Sequence, residues 1–181
     1  MRLYILTSLS ISLFFGKQYD KAKYYAEKDT LTGAYNRRFL LRIFPKLLAM
    51  VDRNNEQLSL LLVDVNDFKK INDTYGHSTG DKVLQSISRV LQTTTRQSDI
   101  VVRWGGDEFL IITPYVDKNS SLSLIKRIES KLDTVSDIDL NIDIFITTGV
   151  ATYPENGKNL DDLIRIADEK MYTFKKERDQ I

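Results

Sequence analysis

Hydrophobic and polar positions divide the chain into segments of alternating type. Leu58 to Val65 is almost continuously Leu and Val, with Asp64 near its end, as in a strand buried on both faces. Two shorter β-branched runs, Ile100–Arg103 and Phe109–Thr113, flank Gly105-Gly106 and predict a β-hairpin with a two-residue connection. A further strand is expected over Ile142–Ala151. Between the strands, apolar residues recur at helical spacing. Phe39, Leu40, Ile43, Leu47, Leu48 and Val51 mark one helix, capped by Asn36 and with a kink or break expected at Pro45. A short helical turn falls within Asn66–Tyr75, and a longer helix after Gly76 carries Val83, Leu84, Ile87, Val90 and Leu91. Two more contain Leu122, Ile125, Ile128 and Leu132, then Leu160, Leu163, Ile164, Ala167 and Met171. The order helix, strand, helix, hairpin, helix, strand, helix predicts an α/β (α+β) domain. Its centre is a ferredoxin-like, antiparallel-containing sheet flanked by helices.

Two segments precede that domain. Leu3–Gly16 is uncharged and mostly apolar, yet as a helix it spans only about 20 Å, short of a bilayer core of roughly 30 Å. It reads as the tail of a transmembrane helix, a short membrane anchor, or a core-packing helix. Lys17, Lys21 and Lys23 just after it place everything downstream in the cytoplasm. Gln18–Lys28 is charged and helix-compatible, a connecting helix. The turn-rich Asp29-Thr30-Leu31-Thr32-Gly33 then starts the domain, giving 1–28 as apolar segment plus linker and 29–181 as the folded unit.

Composition narrows the chemistry. In 181 residues there are 26 basic and 25 acidic side chains, no cysteine and one histidine. That balance implies no broad nucleic-acid surface. Disulfides and thiolate or multi-histidine metal sites are excluded, so any metal is held by oxygen, pointing to Mg²⁺, Mn²⁺ or Ca²⁺ rather than zinc. Oxygen ligands are present in the right places. Asp107 and Glu108 sit together at the hairpin tip, where they cannot serve a core and repel each other without a cation. Asp64 ends the buried strand, and the predicted sheet lets that end lie beside the hairpin tip. Lys69 and Lys70 follow on a turn whose backbone N–H groups favour phosphate. Carboxylates, metal and lysine together describe a nucleoside-triphosphate site, and no P-loop sequence is present. Taken singly, each residue has a plainer role: a solvated strand cap for Asp64, a turn residue for His77, helix-terminal groups for Asn72 and Asp81, a solvated face for the lysines.

The ordered set of motifs resembles the GGDEF family of diguanylate cyclases, which condense two GTP into cyclic di-GMP with release of two pyrophosphates. The resemblance runs through Asp29-Thr30-Leu31-Thr32-Gly33 with Asn36-Arg37-Arg38, Asp64 to Asp73, Gly76-His77, Gly80-Asp81, Arg103 to Phe109 and Ala167 to Tyr172. It implies a nucleotidyl-cyclase, palm-like fold and a homodimer, each subunit presenting one GTP with Mg²⁺ or Mn²⁺, two ions per site. It also implies that Asp64 and Asp107 are metal ligands, with the Val65 carbonyl, and that Glu108 serves a second ion. Asp107 is then the base for the ribose 3′-hydroxyl, Lys69 the partner of the reacting phosphate, and Asn72 and Asp81 the guanine readers. His77 falls to the ribose and Lys175 to the phosphates. An amide with a carboxylate suits guanine, whose N1–H and N2–H₂ donors adenine lacks. Arg96 and Asp99 match the family's Arg-x-x-Asp product-inhibition site for cyclic di-GMP, with a surface ion pair as the plain alternative. Two departures stand out: Ala34 where the family prefers Leu, and Arg178 one residue early in the C-terminal helix. The rival function is a non-catalytic receptor for cyclic di-GMP or GTP; retention of Asp64, Asp107 and Glu108 argues for the enzyme. The expected location is cytoplasmic, with residues 3–16 as a tether to the membrane and no nucleic-acid partner.

Overall fold

A computed structural model describes residues 21–135 and 142–178; the apolar segment 3–16 and its proposed tether lie outside them. Residues 21–27 are helical (α1). There follow β1 (Tyr35–Asn36), α2 (Arg37–Arg53), β2 (Leu58–Val65), α3 (Phe68–Tyr75), α4 (His77–Thr94), β3 (Ile100–Arg103), β4 (Glu108–Pro114), α5 (Lys118–Val135), β5 (Ile146–Tyr153) and α6 (Leu160–Arg178). The five strands form one sheet in the order β1-β3-β4-β2-β5, antiparallel throughout except for the β1–β3 pair. Leaving aside the two-residue β1, this is the ferredoxin-like arrangement expected from the element order, an α+β domain.

Strand parity sorts the core into two layers. Leu58, Leu60 and Leu62 of β2, with Leu110 and Ile112 of β4 and Ala151 and Tyr153 of β5, face α2 and α6. Leu61, Val63 and Val65, with Phe109 and Ile111, face α3, α4 and α5. Helices on each face explain why β2 is nearly continuous in apolar residues rather than alternating. α6 lies very close on β5: a Cβ placed on Gly149 would fall 1.9 Å from the Ala167 carbonyl oxygen, so only glycine permits the approach.

Asn36 caps α2 as its sequence position predicts, its Oδ1 accepting from the Phe39 N–H at 2.9 Å. Three expectations need correction. α2 runs unbroken through Pro45, which sits on the exposed side; the carbonyl freed by the missing N–H belongs to exposed Leu41 and water can satisfy it. The final strand is Ile146–Tyr153 rather than Ile142–Ala151, because its register with β2 begins at Val65 and continues to Leu58. The hairpin has a four-residue connection between the strands, Trp104 to Asp107, rather than two. Trp104 N–H bonds to the Glu108 carbonyl at 2.9 Å, and neither Gly105 nor Gly106 takes the positive φ that a two-residue turn demands.

Candidate functional site

Asp64 is directly opposite Glu108 on β4 and Thr147 on β5, so antiparallel pairing places the three side chains on one face. The neighbouring Val65 N–H donates to the Asp107 carbonyl at 3.3 Å. The strand terminus and the hairpin tip therefore meet, as the carboxylate pair in the sequence required. Burial, then the charges of Asp64, Asp107 and Asp168, raise the Glu108 carboxyl above the ordinary glutamate range, against a lowering by Lys175. Lys175 Nζ donates to Asp64 Oδ1 at 2.6 Å. A cleft of about 390 Å³ opens beside Glu108, bordered by Asp168, Arg37 and Trp104, with the Arg37 guanidinium 4.2 Å from the indole centre.

The connection from β2 to α3 is fixed by a buried polar contact that the sequence did not reveal. Thr147 Oγ1 donates to Asn66 Oδ1 at 2.7 Å, and the Asn66 N–H bonds to the Phe145 carbonyl at 3.0 Å. Asp67 then turns the chain in a left-handed conformation, φ 54°, and α3 starts with Lys69 exposed in its first turn. One turn on, Asn72 lies against α4: a Cβ on Gly80 would stand 2.0 Å from its Oδ1. Asp81 is the next residue of α4 and is exposed. His77 opens α4 and is exposed.

Arg103, a member of the motif, holds the hairpin tip in place. Its Nε and Nη2 donate to the Gly106 carbonyl at 3.2 and 2.8 Å, and Nη1 reaches Asp29 Oδ1 at 3.1 Å. Asp29 Oδ1 also accepts from the Thr32 N–H and hydroxyl. The hairpin tip is thus tied to the turn that follows α1.

Arg96 and Asp99 form a turn between α4 and β3. The Arg96 N–H donates to Asp99 Oδ2 at 2.7 Å, and the Asp99 N–H to the Arg96 carbonyl at 3.0 Å. Among the described residues their side chains make no ion pair with each other. Both border a pocket of about 190 Å³ with Arg127 of α5, whose Nη2 donates to the Thr94 carbonyl at 2.7 Å. Arg127 is far away in the chain and carries no local signal that would have singled it out.

The donors near Asp64 suit a hard cation. They are oxygen only, they crowd like charges, and a lysine already supplies the compensating one. Among the described residues no group of three or more acidic, histidine or cysteine side chains is arranged to hold a metal. An ion there would rest on two carboxylates, a main-chain carbonyl and substrate or water oxygens, the usual habit of Mg²⁺. No helix among the described residues is long and apolar enough to cross a membrane.

Comparison with known proteins gives concordant results. A family profile described as "Diguanylate cyclase, GGDEF domain" matches residues 26–180. Diguanylate cyclase DosC of Escherichia coli K12 is 39% identical over 150 residues, 82% of this chain and 33% of that protein. The chain thus spans about a third of the length of the curated relatives it matches first. The solved GGDEF domain of TpbB (YfiN) from Pseudomonas aeruginosa is 33% identical with a TM-score of 0.76, covering 83% of this chain and 89% of that one. Diguanylate cyclase SiaD of the same organism, solved with its activator SiaC, gives a TM-score of 0.80 at 26% identity, covering 97% and 69%. With residues 26–180 matched by the profile and the acids of the motif gathered at one end of the sheet, the chain belongs to the GGDEF family of diguanylate cyclase domains.

Proposed function

We propose that the chain is a diguanylate cyclase domain that condenses two GTP into cyclic di-GMP and two pyrophosphates, working in the cytoplasm as a homodimer. The observation that carries this is the pairing of Asp64 with Glu108 and of Val65 with Asp107, which brings acids from separate elements together at one sheet end. Asp64, Asp107 and the Val65 carbonyl, with Glu108, would hold Mg²⁺ or Mn²⁺, two ions per site. Such ions supply Lewis acidity at the α-phosphate and lower the pKa of a bound hydroxyl. Lys69 and Lys175 neutralise phosphate charge, Asn72 and Asp81 select guanine, His77 contacts the ribose, and Asp107 receives the 3′-hydroxyl proton. One site holds one nucleotide, so each hydroxyl must attack the α-phosphate presented by a second copy of the chain. Arg96 and Asp99, with Arg127 beside them, form the candidate site for the product as inhibitor.

Incubation with GTP or ATP and Mg²⁺, followed by chromatography of products, tests the reading: cyclic di-GMP from GTP alone is expected. Asp107→Asn should abolish turnover and leave the melting curve unchanged. Cyclic di-GMP binding without any synthesis at high protein concentration would make the chain a receptor instead.

A further inference from the structure

Ala167 and Met171 form the buried stripe of α6, 0% and 4% exposed, and Lys175 is the next residue on that stripe, one turn further along. The sheet ends beneath it. Its ammonium therefore arrives over Asp64 rather than over apolar residues, 2.6 Å from Oδ1, the two side chains 30% and 16% exposed. Glu108, with Asp107 and Asp168 acting on it, completes the acidic surroundings. Among the described residues no other basic side chain is ion-paired to Asp64, Asp107 or Glu108. A carboxylate oxygen held this closely by an ammonium cannot offer the same lone pairs to a divalent cation, and two cations crowded on one oxygen repel.

We propose that Lys175 holds the place of the divalent ion in the nucleotide-free protein, on the footing that the site is the GTP–metal centre described above. Lys175 neutralises Asp64 until a triphosphate arrives. The flexible four-carbon stem, partly in solvent, then carries the ammonium to the phosphates and frees Asp64. Metal alone binds weakly. Nucleotide and metal strengthen each other, and by linkage each raises the affinity of the other by the same factor.

Mn²⁺ binding to the full chain, followed by electron paramagnetic resonance without nucleotide, tests this apart from turnover. Lys175→Met should bind Mn²⁺ about tenfold more tightly than wild type, equivalent to about 1.4 kcal/mol. Lys176→Met removes the same charge from the neighbouring residue, whose ammonium lies 4.5 Å over the Tyr172 ring, and should leave the affinity unchanged. Adding Asp64→Asn to Lys175→Met should erase the gain. With 3′-deoxy-GTP, which cannot condense, wild type should recover most of the difference. Equal gains in the Lys175 and Lys176 variants would reveal a general charge effect and overturn the proposal. So would no gain in Lys175→Met while 3′-deoxy-GTP-loaded wild type still binds Mn²⁺ through Asp64. If the loaded wild type binds no Mn²⁺ that Asp64→Asn removes, the metal-centre reading fails, and the place-holding role with it.

Discussion

Gly149→Ala should lift α6 off the sheet. The new Cβ would lie 1.9 Å from the Ala167 carbonyl oxygen, 2.8 Å from its carbon and 3.0 Å from Met171 Cβ, where ordinary contact begins at 3.4 Å. The first two neighbours are backbone, so no side-chain rotation relieves the clash and the elements must part by roughly 1.5 Å. Overpacking of this kind costs about 1–3 kcal/mol. For a domain of this size each kcal/mol lowers Tm by about 2–4 °C, so a fall of roughly 2–12 °C is expected. Lys175 lies two turns beyond Ala167, about 12 Å along the axis. Carried with the helix, its ammonium would leave hydrogen-bonding range of Asp64. A misplacement of about 1 Å in a phosphate-binding group can cost on the order of 100-fold in turnover. Thermal melts by circular dichroism read the first effect and cyclic di-GMP formation the second. Gly106→Ala is the control for stability, since a Cβ there meets nothing within 4 Å. If Gly149→Ala melted within about 1 °C of wild type, the close packing of α6 on β5 would not be what holds that helix in place.

Two further predictions concern pH. The Glu108 carboxyl is raised by burial and by Asp64, Asp107 and Asp168, and a carboxyl whose folded value exceeds its unfolded one costs stability as pH rises past the unfolded value. Glu108→Gln should therefore raise Tm at pH 8 in the absence of nucleotide, with the gain vanishing below about pH 4; a lower Tm at pH 8 would contradict it. Asp29 behaves oppositely: burial alone would raise its carboxyl, but hydrogen bonds from Thr32 and Arg103 and the Arg103 charge outweigh burial and hold it low. That stabilisation is present above about pH 3.9 and is lost as pH falls through the folded value. Asp29→Asn should accordingly be less stable than wild type at pH 7, with the difference shrinking in acid; parallel melting curves at both pH values would refute it.

What the sequence disclosed depended on whether the cause was local. Leu58–Val65 was delimited at both ends because a strand covered on both faces is apolar nearly throughout, interrupted here only by buried Ser59 and by Asp64 at its end. The Asn36 cap was legible because its hydrogen bond closes within three residues. The start of β5 was not: Ile144 is buried and Phe145 is 60% exposed, an alternation that imitates a strand before pairing with β2 begins. β1 was missed because two residues become a strand only through parallel pairing with β3, far along the chain. At the hairpin, Gly-Gly suggested a two-residue turn, whereas Arg103 holds the Gly106 carbonyl and leaves Asp107 within a wider loop. The motif acids were readable one by one. The face shared by Asp64 and Glu108, the Lys175 contact, the Thr147–Asn66 bond and the placement of Arg127 all arise from tertiary packing, on which local pattern is silent.

The same periodicities that build the core also place the chemistry. On β2 the row Leu58, Leu60, Leu62 faces α6 and its next member is Asp64; on β4 the row Ile112, Leu110 is continued by Glu108. On α6 the stripe Ala167, Met171 is continued by Lys175. Three apolar rows on packed elements each change to a charge at the same level, where the sheet stops and water begins. Charges there are partly buried rather than fully enclosed, and the rows behind them fix their directions. Substitutions within the rows should therefore act first on stability and reach the site through displacement. Substitutions at their charged ends should act first on metal and nucleotide affinity. Gly149→Ala and Lys175→Met sit on opposite sides of that division, although both alter the contact between Lys175 of α6 and Asp64.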